Sequence, residues 1–183
     1  MILKQDTIIR RGNMNKEELF TIIQAKNPEF FAAFEKAPAS TKWHGAKEGG
    51  LMIHSINVYV KLVEYATKHK GMFTPEDCVK IAFLHDLCKA NLYVWDDTLK
   101  KYTYDKELAP HHAKRSIELI NSLGIELTTV QKVCILLHMG AFINDEDWEM
   151  LTTEERLWLN NCENYKRAAA VQWADMKACE MEE

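Results

Sequence analysis

Apolar residues recur at helical spacing along most of the chain, and the breaks between these runs hold most of its four prolines and seven glycines. Asn15 to Lys26 reads as a first helix. NPEFFAAFEKAP reads as a short second one, stapled by Phe30, Phe31 and Phe34, and ASTKWHGAKEGG is a loop. Past Gly49-Gly50, LMIHSINVYVKLVEYATKHK is one long amphipathic helix closed by Gly71. Thr74-Pro75-Glu76-Asp77 is a helix start, with a hydroxyl N-cap, proline at the first helical position and acids in the first turn. It opens the helix predicted to carry the run IAFLHDLCKANLY, Ile81 to Tyr93. YVWDDTLKKYTY alternates large residues around a polar centre and predicts a hairpin. HHAKRSIELINSLG, TTVQKVCILLHMGAF and the segment from Thr152 to the C-terminus read as helical, the last with a break near Asn160. With no repeat and no low-complexity segment, the expected fold class is all-α, a single-domain helical bundle with a small β-hairpin insertion.

A length of 183 residues suits one domain with its own core. We expect residues 1–42 to form an N-terminal helical segment packed on the core, and residues 43–183 to form the main domain. The chain is 47% hydrophobic and 27% charged with a net charge of −4. That balance lacks a basic surface, which disfavours nucleic acid as a partner. Met1 to Arg11 lacks the apolar core of a signal peptide, and no run approaches the ~20 apolar residues that cross a bilayer. The expectation is therefore no membrane association and a cytoplasmic location. Five cysteines, an odd number with no CxxC pair, read as reduced core residues.

Candidate chemistry changes this picture. His85 and Asp86 sit in an apolar run, where an ionised carboxylate costs several kcal/mol, roughly, without a partner or a metal. His54 shares a helix face with Leu51 and Val58, His112 with Ser116 and Leu119, and His138 with Cys134 and Ile135 on one side and Ala141 and Phe142 on the other. Asp175 interrupts the apolar stripe of Ala168, Val171 and Ala178. A lone histidine on an apolar face is more often a hydrogen-bonded core residue than a ligand. Four histidines and two aspartates facing inward from five helices are a different matter, because imidazole with carboxylate is the donor set of Zn, Fe, Mn and Co sites.

The motifs GGLMIHSINVY, FLHDLCK, HHAKRS, LLHMG and AVQWADMKA, in that order from about Trp43 to Cys179, resemble the HD-domain superfamily of metal-dependent phosphohydrolases. The resemblance implies an HD-type bundle over residues 43–183. It implies His54, His85, Asp86, His112, His138 and Asp175 as metal ligands, in the order of the two-metal branch, where the aspartate of HD bridges both ions. The cofactors expected are two divalent transition metal ions, of Fe, Mn, Zn, Co or Ni. One-metal members need only His54, His85, Asp86 and Asp175 of this set. His111 competes with His112, and His112 is preferred because the motif places its histidine four residues before the serine, here Ser116.

Around this set, Lys89 falls on the ligand face and is a candidate for catalysis and for holding a substrate phosphate, against the alternative of a plain ion pair with Asp86. Arg115, one turn after His112, is a second phosphate-binding candidate. His44, in the loop before the long helix, is a candidate to contact substrate or to protonate a leaving group. His69 reads as a solvated helix-end cation. Trp43, Tyr93, Trp95 and Tyr104 could stack on a base or simply pack. The function expected is hydrolysis of a phosphate ester of a small nucleotide or related metabolite by metal-activated water. The alternatives are a mixed-valent di-iron oxygenase of the same superfamily and a non-catalytic nucleotide-binding protein. A small phosphorylated molecule is the expected partner, and a homo-oligomer stays open.

Overall fold

The computed structural model describes residues 14–104, 111–140 and 144–181. The expectations placed on Met1 to Arg11 and on Ala141 and Phe142 lie outside them. The described residues are mostly helical with one two-stranded antiparallel sheet among them, as the apolar periodicity predicts.

Side-chain caps set most helix starts. Asn15 and Glu18 form a capping box that opens α1 (Lys16–Lys26). Asn27 caps α2 (Pro28–Lys36), which begins on proline. The long helix α3 (Gly50–Lys68) has no side-chain cap and is entered through Gly49 at φ 74. Thr74 and Asp77 box the start of α4 (Pro75–Leu84). A 3-10 helix (Leu87–Asn91) follows and leads into the hairpin of β1 (Tyr93–Asp96) and β2 (Lys101–Tyr104), in register Tyr93↔Tyr104 to Asp96↔Lys101. Then come α5 (His112–Ser122), α6 (Thr129–Leu137), α7 (Asp145–Glu149), α8 (Thr153–Leu159) and α9 (Cys162–Glu180). The last helical segment breaks between Leu159 and Cys162, as expected near Asn160. The short helix α7 has too few residues to show a period and was not predicted from the pattern.

The core lies where α3 packs on α4 and α9 and where α6 packs on the same two helices. Leu51, Val58 and Leu62 of α3 meet Ile81, Phe83 and Leu84 of α4 and Val171, Ala174 and Ala178 of α9 in one buried cluster. The small residues of α9 let the two longest helices approach closely. Leu19, Ile23, Phe30, Phe31 and Phe34 of α1 and α2 belong to the same cluster, and Phe20 stacks edge-on against Phe83 at 5.1 Å.

Three sequence expectations need correction. The helix expected over TTVQKVCILLHMGAF ends at Leu137, and His138 is its C-cap rather than a residue on its face. The helix predicted to carry His85 and Asp86 ends at Leu84. His85 is its C-cap and Asp86 sits at φ −110, ψ 19, between α4 and the 3-10 helix. The apolar pattern continues through this junction, so periodicity does not reveal it. Of the five cysteines, only Cys78, Cys88 and Cys134 are buried, whereas Cys162 is exposed at the first position of α9 and Cys179 is half-buried. Among the described residues, no helix is long and apolar enough to cross a membrane.

Candidate metal centre

Five helices deliver six side chains to one point. Asp86 is the hub, and its two oxygens face different histidine pairs. Oδ2 lies 3.3 Å from His85 Nε2 and 3.9 Å from His54 Nε2. Oδ1 lies 3.5 Å from His112 Nε2 and 3.7 Å from His138 Nε2. Asp175 joins the first pair, its Oδ1 lying 2.9 Å from His54 Nε2 and 3.8 Å from His85 Nε2. His54, His85, Asp86 and His138 are buried, while the side chains of His112 and Asp175 keep 12% and 20% of their exposure, so the cluster opens to solvent between α5 and α9.

The helix ends orient two of the imidazoles. His85 and His138 each follow the last residue of an α-helix, and each donates its Nδ1 proton to the carbonyl three residues earlier, Ala82 O at 3.0 Å and Ile135 O at 2.7 Å. That bond satisfies a carbonyl that the ending helix leaves without a partner. It also places the ring proton on Nδ1 and turns both Nε2 atoms inward, where each can offer a lone pair to a cation. His112 is the first residue of α5 and brings Nε2 to 3.1 Å from His138 Nε2.

Two polar atoms at the centre lack a hydrogen-bond partner. Among the described residues, His85 Nε2 and Asp86 Oδ1 are buried without a hydrogen bond. A buried acceptor left in this way costs about 1 to 3 kcal/mol, more if charged. Both orphaned atoms belong to close-set nitrogen and oxygen donors, an arrangement a cation would satisfy. Two groups built on Asp86 have donor atoms close enough to hold a metal ion, His54 with His85 and Asp86, and Asp86 with His112 and His138. The residues present therefore fit metal binding by nitrogen and oxygen donors.

Electrostatics agree with this geometry. Burial alone would push the Asp86 carboxyl up, but the Lys89 ammonium and His85 hold it well below the usual carboxylate range. Burial opposes ionisation of Asp175 too, and the hydrogen bond to His54 overrides it and holds the carboxyl down. Burial pushes the His112 imidazole down to about 3 and lowers that of His138, so both are neutral, the form that binds metals.

Lys89 is held against the hub. The 3-10 turn eclipses residues three apart, which sets Lys89 over Asp86 with Nζ 2.6 Å from Oδ2. Asp86 raises the Lys89 pKa despite burial. His111 turns away, its Nε2 lying 3.6 Å from Glu146 Oε1, and it is His112 that enters the cluster. Arg115 is half-buried on α5, one turn from His112. His44 stacks beside His54, ring centroids 5.1 Å apart. The hairpin aromatics pair with one another, Tyr93 with Tyr104 and Trp95 with Tyr102, and Trp43 is 72% exposed under the Lys42 ammonium.

Three residues near the centre carry no sequence expectation of this kind. Tyr93 lies close enough to Lys89 that the two groups influence each other's ionisation. Asp147 of α7 is buried and accepts from the backbone N of Lys114 in the first turn of α5, at 2.8 Å. α5 has no side-chain cap of its own, so this carboxylate caps the helix that carries His112 from a distance in sequence. Cys179 follows Asp175 by four residues on α9, a spacing that could have marked it, and its thiol lies with His44 and His54. Comparisons of the chain with protein-family models, with curated proteins and with solved structures return no match.

Proposed function

We propose that this chain is an HD-type, metal-dependent phosphohydrolase acting on a phosphate ester of a small nucleotide or a related phosphorylated metabolite. The observation that carries the reading is Asp86, whose two carboxylate oxygens each face a separate pair of histidines. A carboxylate so placed suits a bridge between two cations. His54, His85, Asp175 and Asp86 would hold one ion, and Asp86, His112 and His138 the other. Bound in this way, divalent ions supply a nucleophile from water at neutral pH and neutralise charge on the attacking and leaving oxygens.

The chain's own residues supply the rest. Lys89 spends one ammonium proton on Asp86 and keeps two donors for a phosphate oxygen. Arg115, half-buried one turn along α5 from His112, would be the second cation for the phosphate. His44, on the rim, would protonate the oxygen released when the P–O bond breaks. Burial of the histidine pairs excludes bulk water from all but that side.

The test is metal analysis of protein purified without added metal, combined with a screen of nucleotides for phosphate release, in wild type and Asp86→Ala. The reading requires bound transition metal and phosphate release in wild type, with both lost in a folded Asp86→Ala protein. Two equivalents of iron with oxygen uptake and no phosphate release would replace it with oxygenase chemistry. Full activity in Asp86→Ala would refute the mechanism.

A further inference from the structure

The face of α9 that presents Asp175 continues one turn on to Cys179, and the loop before α3 brings His44 to the same side. The Cys179 thiol and one ring nitrogen each from His44 and His54 lie within 4.8 Å of one another. His54 is fully buried, whereas His44 and Cys179 are half-buried, so this trio lies on the rim. The loop is held in place. Ser40 Oγ donates to the carbonyl of His44 at 2.8 Å, and Ala39 N donates to Gly45 O at 2.9 Å. A Cβ built on Gly50 would stand 1.9 Å from Gly45 O, a measure of how closely the loop backbone rides on the start of α3.

We infer that His44, His54 and Cys179 form a separate rim site for a thiophilic divalent cation such as Zn²⁺. The inner groups offer only nitrogen and oxygen, while the rim trio adds sulfur, which shifts preference toward soft and borderline ions. Two imidazoles and one thiolate with an outward position open make a three-protein-ligand zinc set. On binding, the Cys179 S–H bond breaks, its proton goes to solvent, and the sulfur–metal bond forms with no change of oxidation state. His54 is common to the rim trio and to the inner group with His85 and Asp86, so an ion on the rim draws on an imidazole the inner group uses. The rim site is thus linked to the inner centre through His54, and its existence does not depend on what chemistry occurs there.

Cadmium titration of chelator-stripped full-length protein tests it, read by the ultraviolet thiolate-to-cadmium charge-transfer absorption, which inner nitrogen and oxygen donors cannot produce. The expected result is a band that saturates at about one equivalent per chain, disappears in Cys179→Ser and persists in Cys162→Ser. In His44→Ala, cadmium affinity falls at least about tenfold, as loss of a metal-site contact does. Absence of the band in wild type, its survival in Cys179→Ser, or an affinity within about twofold in His44→Ala would overturn the inference. If circular dichroism shows that Cys179→Ser has lost its helices, the His44→Ala arm decides alone, since His44 lies in a loop. Failure of the nucleotide screen leaves every one of these readings unchanged.

Discussion

Replacing Lys89 with methionine removes the ammonium that sits 2.6 Å from Asp86 Oδ2, where the lysine side chain keeps 15% and the aspartate side chain 3% of their exposure. Methionine packs much as the lysine stem does, so little apolar contact is lost. What remains is a buried carboxylate without its cation. Breaking one side of such a pair costs about 3 to 5 kcal/mol. Protonation of Asp86 relieves part of that, which favours the lower end, about 3 kcal/mol. For a domain of this length, 1 kcal/mol moves Tm by about 2 to 4 °C, so the metal-free variant should melt about 6 to 12 °C below wild type. Cations bound at Asp86 supply the missing positive charge, so with saturating metal the difference between variant and wild type should shrink by at least half. Calorimetry of both proteins, stripped and loaded, gives the four temperatures. If Lys89 also holds a substrate phosphate, kcat/KM of the loaded variant falls by about one to two decades, the worth of a charge-assisted contact. A metal-free Tm within about 2 °C of wild type, or equal drops in the stripped and loaded proteins, would refute this account of Lys89.

Gly50→Ala places a methyl against the backbone of Gly45, 1.9 Å from its oxygen, at a helical position where alanine should otherwise help. Urea melts should show a loss of about 3 kcal/mol, and any stabilisation would mean that the loop gives way freely. Asp147→Ala removes acceptors for Lys114 N and Asn144 Nδ2 and should cost about 2 to 3 kcal/mol by the same assay, with Asp147→Asn recovering only about half of it because its one amide oxygen can accept from one of the two donors. Burial pushes the thiols of Cys78 and Cys88 up to about 11 and raises that of Cys134 as well, so at pH 8 these three are protonated and shielded. Mass spectrometry after brief alkylation should find label first on Cys162, more slowly on Cys179, and on the other three only after unfolding. Prompt labelling of Cys134 would contradict the packing of α6.

Where a local rule acts within one element, the sequence was readable. Thr74-Pro75 marks the start of α4, Gly71 and Gly49 bracket α3, and Asp175 stands out because a carboxylate has no reason to interrupt Ala168, Val171 and Ala178 unless something meets it. Inward placement of His54 and His112 followed from their own helix faces. What periodicity could not convey is how the ends of elements meet. The chain leaves the helix at His85 without any break in apolar character, because the 3-10 turn that follows is buried as well. That departure sets Lys89 over Asp86 through a three-residue repeat. Asp147 escaped notice because its partner, Lys114, lies 33 residues away, and a capping bond between elements leaves no mark in either segment alone.

The two helices that close on His85 and His138 both run their C-terminal ends into the cluster. Each such end carries about half an elementary negative charge from its aligned peptide dipoles. Together they add roughly one negative charge to the two carboxylates, of which the N-terminal end of α5 at His112 offsets about half, and no side-chain substitution removes this backbone contribution. The backbone contribution thus adds to the carboxylates in favouring cations and disfavouring anions at the centre. Loading is thereby ordered, since a negatively charged ligand meets a hostile potential until cations have entered, and Lys89, already committed to Asp86, offsets only part of it.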